Sequence, residues 1–326
     1  MLDDAGRIAG QRTAHMRIGA IIPTIGRPQA LRRLLTSLAA QTRTVDEIVI
    51  ADGGCDPDTA TVAGDPVWRE RGLAIRLLAV SPPNAVRQRR AAVAASHSEL
   101  LLLLDDDVEL EEDCVAELAR ALDARSDGVG VMADFSNEDW PAPTRVWRFV
   151  LRHALGLRED EWQGRVIGPL LRFGFSPTPA EVTSVEWIGA GNSLISRSAY
   201  EAGGGFSDFF LHRCTMNEDV DLSLKLRRHG ALYFAPRARL AHFHAPSGRV
   251  TAEIAAEDDV FNRYMILRRT LGRSRADALS HISAYAVLES LGAARRLFGA
   301  SGPRTREILR GRLKGLARAL ADGAER

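Results

Sequence analysis

Cysteine is scarce in this 326-residue chain, and the three that occur form no C-x-x-C pair (Cys55, Cys114 and Cys214). This spacing excludes a zinc knuckle or a disulfide framework and is typical of a reducing cytoplasm. No segment approaches the ~20 apolar residues of a membrane-spanning helix, and the N-terminus lacks the apolar stretch of a signal peptide. A net charge of +1 gives no overall attraction to nucleic acid. We therefore expect a cytoplasmic globular protein.

Strand and helix patterns alternate from residue 16, after a polar, aperiodic lead-in (residues 1–15) that we expect to be disordered. Short apolar strands are predicted at 17–22, 47–51, 74–80, 100–104 and 129–133, and helices at 28–40, 59–71, 84–96 and 111–124. This alternation predicts βαβ units and an α/β fold with a mostly parallel sheet. A glycine-rich G-x-G-x-x-G turn is missing after the first strand, which disfavours a dinucleotide-binding domain.

The alternation of strand and helix patterns stops over residues 134–182, which contain three tryptophans and several prolines. This segment predicts an insertion with one helix near 144–155. Strands are then predicted at 185–188 and 193–196, a helix at 220–229, and extended segments at 231–234 and 239–244. Helices at 251–271, 276–298 and 304–321 follow, with breaks at Gly272 and Gly302–Pro303. We predict a main domain over 16–248 and a helical C-terminal extension over 249–326.

Five leucines followed by three carboxylates are the most informative feature of the chain: Leu100–Leu104, then Asp105, Asp106 and Asp107. The leucine run predicts a strand buried on both faces in the middle of the sheet. The carboxylates must then emerge at the carboxyl end of that strand, where open α/β sheets bind ligands. Clustered carboxylates favour a hard cation such as Mg²⁺ or Mn²⁺. The alternative is a solvated acidic turn, with Asp107 or Asp113 as a helix cap.

Two further loops at strand ends carry candidate binding residues. The first strand ends in Pro23 and Thr24, followed by Arg27, and such a strand-to-helix loop is a natural anion site. The second strand ends in Asp52, which suits a ribose hydroxyl or a base N–H. An Asx-turn is an equally good interpretation of Asp52.

Taken together, these segments resemble the family 2 nucleotide-sugar glycosyltransferases, which have the Rossmann-like GT-A fold. The resemblance covers about residues 17–245. It implies that the first two loops hold the nucleotide, and that the acidic run is the D-x-D motif of Asp105 and Asp107, which flank Asp106. In the preceding helix only Arg89 matches the family's Arg-Asn-x-x-Gly pattern, because Arg90 and Ala92 replace the other two residues. The nucleotide-sugar ligands implied are therefore Pro23, Thr24, Arg27, Asp52, Arg89, Asp105 and Asp106.

Two later segments also resemble motifs of the family. The segment Gly189, Ala190, Gly191 and Asn192 is similar to its acceptor site, where small residues let the backbone approach a sugar. Glu218 and Asp219 match its Glu-Asp motif, which implies catalytic roles, with Asp219 as the general base that takes a proton from the acceptor hydroxyl. The alternative is that these two acids favour a helix N-terminus.

A metal ligand is also implied near residue 242. Many relatives carry a histidine at this place, which here is His242, and His244 lies on the same face of an extended segment. The resemblance therefore implies that Mg²⁺ or Mn²⁺ is held by Asp105, Asp107 and His242.

The activity implied is an inverting, metal-dependent transfer of one sugar from a nucleotide-diphosphate donor to an acceptor hydroxyl. UDP is the default nucleotide, and the acceptor is a glycan, a lipid-linked molecule or a small molecule, with a role in cell-envelope glycan or glycolipid synthesis. The Gln-x-x-Arg-Trp motif of processive synthases is missing, which favours single transfer. A nucleotidyltransferase and a catalytically silent sugar-nucleotide-binding module are the alternatives. The former lacks its expected glycine-rich phosphate loop here, whereas Arg90 and Ala92 favour the latter.

The C-terminal segment predicts a basic amphipathic helix, because leucines recur at helical spacing between arginines (Leu309, Leu313, Leu316 and Leu320). Such a helix can lie on the inner face of the plasma membrane, where lipid-linked acceptors are found. It can also dock on the catalytic domain or form a homodimer contact. Nucleic-acid binding is disfavoured, because the segment carries leucines rather than aromatic residues.

Overall fold

The computed structural model describes residues 13, 15–140, 142–158, 161–212, 215–244, 250–294 and 302–322. The predicted lead-in thus lies outside the described residues except for Thr13 and His15. Thr13 is buried, and its backbone N–H and hydroxyl donate to Asp123 at 2.5 and 2.7 Å. The chain divides into two compact units. The first contains residues 1–139, 177–206 and 222–248, and the second contains 140–176, 207–221 and 249–326.

The first unit is built on a nine-stranded sheet in which six strands run in one direction. Strands β1, β2, β3 and β4 pair in parallel in the order β3-β2-β1-β4, and β6 pairs in parallel with β11. β10 lies between β4 and β6 and is antiparallel to both, and β5 and β9 pair antiparallel with β11. The nine strands are β1 Ile18–Thr24, β2 Glu47–Asp52, β3 Ile75–Ala79, β4 Leu100–Leu104, β5 Val108–Leu110, β6 Gly128–Phe135, β9 Thr183–Val185, β10 Asn192–Ser196 and β11 Ala231–His242.

The leucine run is confirmed as a central buried strand. Each residue of β4 is at most 2% exposed, because β1 and β10 flank the strand and helices cover the sheet. Helix α1 contributes a buried stripe of four leucines to this core at spacings of three and four residues, which are Leu31, Leu34, Leu35 and Leu38. The helices of this unit are α1 Pro28–Ala39, α2 Pro57–Ala63, α3 Val67–Glu70, α4 Ala85–Ala95, α5 Cys114–Asp123 and α7 Arg197–Ala202.

Three differences from the predicted elements have local causes. The helix predicted over 59–71 is two short helices, because Gly64 and Pro66 interrupt it between α2 and α3. The strand predicted at 185–188 ends at Val185, where its pairing with β11 stops. Strand β5 and helix α7 were not predicted, since elements of three and six residues are too short to show periodicity.

The second unit is mainly helical. It contains α6 Arg145–His153, the two-stranded hairpin β7 Val166–Ile167 and β8 Leu171–Arg172, α9 Ala252–Met265, α10 Arg275–Ala294 and α11 Gly302–Ala321. A π-helical turn, Ile266–Thr270, continues α9. Helix α8, Glu218–Leu226, begins in this unit and continues along the chain into the first unit. The predicted helix 251–271 is thus confirmed, and the last part of the predicted helix 276–298 lies outside the described residues.

Helix α11 docks on α9 through its small residues rather than its leucines. A Cβ atom on Gly311 would lie 2.2 Å from the carbonyl oxygen of Glu253, and one on Gly315 would lie 2.5 Å from that of Glu257. Leu313 remains 69% exposed. The glycines therefore allow a close backbone approach that larger side chains would block. Among the described residues no helix is both long and apolar enough to cross a membrane.

Candidate active site

Two carboxylates and an imidazole meet at the carboxyl ends of β4 and β11. Asp105, Asp107 and His242 each bring one ligand atom within 4.8 Å of the others, and Nε2 of His242 lies 3.2 Å from Oδ1 of Asp107. The pairing of β5 with β11 explains the approach, because it sets His242 opposite Val108, the residue after Asp107. Hard carboxylate oxygens with one imidazole suit Mn²⁺ or Mg²⁺, so these residues fit such an ion.

The pKa of His242 is raised. Burial acts to lower it, but the hydrogen bond with Asp107 and the negative charges of Asp107, Asp105 and Glu138 outweigh this effect. The surroundings of His242 thus favour positive charge at this point, whether from a proton or from a cation.

The middle carboxylate of the run points back into the protein. Oδ2 of Asp106 accepts a hydrogen bond from the Thr24 hydroxyl at 2.6 Å, and its Oδ1 accepts one from Arg27 at 2.9 Å. Burial raises the pKa of Asp106 to about 6, although Thr24 and Arg27 oppose the rise. Arg27 also lies 3.5 Å from Asp107. Asp106 therefore links the acidic loop both to the end of β1, at Thr24 next to the buried Pro23, and to the loop that follows β1, at Arg27.

Helix α4 supplies two buried side chains to the same edge. Nη2 of Arg89, which is 3% exposed, lies 2.5 Å from Oδ1 of Asp105. The Gln88 amide donates to the carbonyl oxygens of Thr24 and Ala51, at 2.7 Å each, and so holds the ends of β1 and β2 together. Sequence analysis did not single out Gln88, which is adjacent to the one matched residue of its motif.

Asp52 forms the Asx-turn that was one of the two roles predicted for its side chain, the other being a contact with a ligand. Its carboxylate accepts the backbone N–H groups of Gly54 and Asp56 at 2.8 Å each, and the side chain is buried. Each carboxylate oxygen still has a second lone pair. The Asx-turn and a contact with a ligand are therefore compatible.

Gly191 lies against the acidic loop. A Cβ atom at this position would lie 2.3 Å from Oδ2 of Asp105, closer than the 3.0 Å that Cβ atoms respect in proteins. The Gly191 carbonyl also accepts a hydrogen bond from the backbone N–H of Asp105. The absence of a side chain at Gly191 is thus what lets Asp105 occupy its place.

The neighbouring small residues form a buried bend. A Cβ atom on Gly189 would lie 2.3 Å from Oδ1 of Asn192, and the Asn192 amide donates to the carbonyl oxygen of Ala133 at 2.8 Å. Ala190 and Asn192 are both buried. Asn192 therefore links the start of β10 to β6.

Asp219 belongs to the second unit, where it pairs with an arginine. Its Oδ1 lies 2.8 Å from Nη1 of Arg172, the last residue of β8, and its side chain is 13% exposed. Glu218 begins α8, and its backbone N–H donates to the carbonyl oxygen of Thr215. The acids of the predicted catalytic pair thus lie in the first turn of a helix, which its dipole favours.

A buried polar network continues from this pair. The Asn217 amide, on a residue with φ of +71°, donates to Oδ1 of Asp259 at 2.8 Å. Asp259 also accepts from Tyr285 at 2.6 Å and pairs with Arg263 at 3.0 Å. Burial acts to raise the pKa of Asp259, but the charge of Arg263 and these hydrogen bonds lower it overall.

The comparisons with known proteins agree with this architecture. The model of Glycosyl transferase family 2 matches residues 20–177, slightly under half of the chain. The matched residues contain the loops after β1, β2 and β4, including the acidic run Asp105–Asp107. The search of curated proteins found none that matches the sequence.

Solved structures of glycosyltransferases share the fold. A mannosyltransferase from Pyrobaculum calidifontis, solved with GDP-Man and Mn²⁺, has 16% identity and a TM-score of 0.56, with 94% of this chain and 88% of that chain covered. GalNAc-T7, solved with UDP, GalNAc and Mn²⁺, has 13% identity and a TM-score of 0.57, with coverages of 95% and 57%. TarS from S. aureus has 13% identity and a TM-score of 0.50, with coverages of 78% and 40%.

This chain thus spans well under two thirds of TarS and of GalNAc-T7. The similarity shows that this chain has a GT-A-like fold with additional C-terminal helices.

The first unit therefore brings together predicted residues of the donor, metal and acceptor groups, which are Thr24, Arg27, Arg89, Asp105, Asp106, Asp107, Gly191 and His242. Glu218 and Asp219 lie in the second unit. Sequence reasoning missed Glu138, which faces His242, and Arg172, which pairs with Asp219. Both lie in the aperiodic segment 134–182, where no motif marks them.

Proposed function

We propose that the glycosyltransferase moves one sugar from a nucleotide-diphosphate sugar, with UDP as the default nucleotide, to an acceptor hydroxyl in a metal-dependent reaction that inverts the anomeric centre. The observation that carries this proposal is the convergence of Asp105, Asp107 and His242 at the carboxyl edge of a family 2 domain. Two structural neighbours support it, one solved with GDP-Man and Mn²⁺ and the other with UDP, GalNAc and Mn²⁺.

The donor is bound by the loops that end the first strands. Thr24 and Arg27 are held in place by Asp106, and Asp52 offers its remaining lone pairs to the nucleobase. Pro23, the residue before Thr24 in β1, fixes the point where the first loop begins. Arg89 lies beside Asp105 and faces the diphosphate. Asp106 contributes indirectly, because it holds Arg27, which also faces the diphosphate.

Asp105, Asp107 and His242 hold the divalent ion. When bound, the ion neutralises the negative charge that develops on the departing nucleoside diphosphate. Because Arg89 and Arg27 already neutralise part of the carboxylate charge, we expect metal and donor to bind together more tightly than the metal alone.

Asp219 takes the proton of the attacking hydroxyl, with Glu218 next to it in the first turn of α8. An inverting displacement needs such a base on the acceptor side. Arg172 holds the Asp219 carboxylate at 2.8 Å, so it fixes the orientation of the base before the acceptor arrives.

The segment Gly189, Ala190, Gly191 and Asn192 borders the acceptor. We propose that residues 16–248 carry the catalytic machinery, and that the acceptor is a lipid-linked or glycan intermediate of the cell envelope. The exposed leucines of the basic helix α11, such as Leu313, support peripheral contact with an anionic membrane. Sedimentation with anionic and neutral vesicles tests this contact, and equal recovery on both would contradict it.

The decisive experiment is a binding and hydrolysis screen of the purified protein against a panel of nucleotide sugars, each with Mn²⁺, Mg²⁺ or EDTA. We expect one donor to bind with metal and to be slowly hydrolysed. Binding without hydrolysis or transfer would favour the silent module. No metal-dependent binding to any donor would refute the proposal.

The role of Asp219 is tested by Asp219→Asn, which removes the base but keeps a hydrogen-bond acceptor for Arg172. We expect donor affinity within about twofold of the unmodified protein and turnover reduced at least about 100-fold. Glu186→Gln is the matched control, because Glu186 also pairs with an arginine, Arg227, at 3.3 Å but is not in the proposed site. Retained turnover in Asp219→Asn would refute the assignment.

A further inference from the structure

A second group of metal-ligand side chains lies on the other side of the His242 ring. Glu138, His242 and His244 each bring one ligand atom within 4.8 Å of the others. Oε1 of Glu138 lies 3.3 Å from Nδ1 of His242 and 2.5 Å from Nε2 of His244. The two imidazole ring centres are 4.0 Å apart. Two nitrogens and one carboxylate oxygen thus converge on one point.

The Glu138 oxygen at this point lacks a hydrogen-bond partner among the described residues, although the atom itself is buried. Both neighbouring imidazole nitrogens are near it, but neither meets it with hydrogen-bond geometry. A buried carboxylate oxygen that lacks a donor is costly in a folded protein. A cation between the three side chains would satisfy it.

The donor set of this group differs from that of the first site. Two imidazoles and one carboxylate are a common ligand set for Zn²⁺, whereas Mg²⁺ prefers oxygen. Tetrahedral Zn²⁺ with bonds of about 2.0–2.2 Å places its ligand atoms roughly 3.3–3.6 Å apart. The distance from Glu138 to His242 already matches this range, and His244, whose side chain is 52% exposed, has room to move outward.

Two hydrogen bonds to its own backbone and a stacked ring hold His242 in place between the two groups. The Asn137 side chain donates to the His242 carbonyl and accepts from its N–H, at 2.8 Å each, and Phe135 stacks on the ring at 5.6 Å. One ring nitrogen, Nε2, faces Asp107, and the other, Nδ1, faces Glu138. A neutral imidazole has a single lone pair, so it can ligate a metal through only one of these nitrogens at a time.

We propose that Glu138, Nδ1 of His242 and Nε2 of His244 form a second cation site, selective for Zn²⁺ or a similar nitrogen-preferring ion, that competes with the first site for His242. With Zn²⁺ on Nδ1, the proton of the His242 ring would stay on Nε2, which would donate a hydrogen bond to the Asp107 carboxylate and would have no lone pair for the Mn²⁺ or Mg²⁺ of the first site. The Zn²⁺ site itself is independent of the proposed function, whereas its competition with a bound Mn²⁺ or Mg²⁺ rests on that function.

The site is tested by titrating the purified full-length protein with Zn²⁺ by calorimetry, and with Co²⁺ as a spectroscopic probe of tetrahedral geometry. We expect His244→Ala and Glu138→Gln each to weaken Zn²⁺ binding by at least about tenfold and to remove the intense visible Co²⁺ bands. Asp105→Asn is the matched control, because the Asp105 carboxylate belongs to the first group and pairs with Arg89 rather than with His242, so this variant should retain Zn²⁺ binding. Unchanged Zn²⁺ affinity in His244→Ala and Glu138→Gln would overturn the site.

The competition is tested by following the release of bound Mn²⁺ by electron paramagnetic resonance as Zn²⁺ is added in the presence of UDP. We expect release from the unmodified protein and at least about tenfold less sensitivity to Zn²⁺ in His244→Ala. Equal sensitivity in both proteins would overturn the competition. If Mn²⁺ does not bind at all, the proposed function and the competition fail, while the calorimetry still decides the Zn²⁺ site.

Discussion

The contact between Gly191 and Asp105 gives the sharpest test of the candidate site, through the substitution Gly191→Ala. The new Cβ atom would lie 2.3 Å from Oδ2 of Asp105, so the two atoms must separate by at least about 0.7 Å to reach the 3.0 Å limit. The Gly191 backbone is held by its hydrogen bond to Asp105 N, so the carboxylate is the group that moves. Its movement disturbs both the pairing with Arg89 and the proposed metal site.

The expected effects on activity and on stability differ in size. Active-site groups need placement within about 0.5 Å, and a 1 Å displacement costs about 100-fold in rate. We therefore expect kcat/KM for the donor identified in the screen to fall about 30- to 100-fold, equivalent to about 2–2.7 kcal/mol. The Asp105 side chain is 39% exposed and can rotate into solvent. The free energy of unfolding should therefore fall by no more than about 1 kcal/mol.

The assay compares donor hydrolysis, Mn²⁺ affinity in the presence of UDP, and urea unfolding for the two proteins. Gly54→Ala is the control, because a Cβ atom there would have only ordinary contacts of 3.4 Å or more. In the background of Asp105→Ala, Gly191→Ala should have little further effect, since the two act through one side chain. Unchanged kcat/KM and Mn²⁺ affinity in Gly191→Ala would refute the reasoning.

Three further substitutions test other parts of the structure. Glu47 accepts hydrogen bonds from two serine hydroxyls and a backbone N–H, which outweigh the effect of its burial and lower its pKa. Because solvent screens this partly exposed carboxylate, Glu47→Gln should lower the free energy of unfolding by no more than about 1 kcal/mol at pH 7. That difference should shrink as the pH falls through the lowered pKa in thermal scans from pH 7 to 3, because the folded state loses the ionised form there, and a constant difference would contradict it. Gly315→Val should separate α11 from α9 and cost about 2–4 kcal/mol in urea unfolding, whereas Gly292→Ala, which meets open space, should not destabilise. Arg263→Met leaves the Asp259 carboxylate without its cation and should cost about 3 kcal/mol in the same assay, and a loss below about 1 kcal/mol would contradict the network.

The parts of the fold that the sequence predicted are those with a local signal. The apolar run of β4 and the leucine spacing of α1 depend on neighbouring residues alone, and both elements form as expected. Strand β5 depends instead on pairing with β11, more than 120 residues later, and its three residues carry no periodicity. Gly64 and Pro66 interrupt the helix predicted over 59–71, although the apolar spacing on either side of them is helical.

The residues of the candidate site also fall into two groups, those with a signal in the sequence and those without one. The acidic run has a local signal of its own in the leucines that precede it, whereas its proximity to His242 was expected because a family resemblance supplied a relation between distant positions that periodicity cannot supply. Glu138 and Arg172 were not anticipated, because their importance comes only from the side chains that the fold brings to them. The helix α11 was expected to use its leucines for packing or for membrane contact, and its docking through Gly311 and Gly315 depends on the backbone of α9, which the sequence of α11 does not reveal.

The reversed strand β10 has a consequence for how the sequence of this protein can change. Because β10 runs against β4 and β6, its first residue lies at the same edge of the sheet where β6 ends. The chain therefore leaves β6 after Phe135 and enters β10 at Asn192 at the same edge of the sheet, and between the two it adds the three-residue strand β9, which pairs with β11. The part of this connection that precedes β9, residues 136–182, adds no strand to this sheet among its described residues, and longer loops add little closure entropy. Sequence can thus be inserted or exchanged there while the strand register of β4, β6 and β10, and the acidic loop that it positions, stay the same.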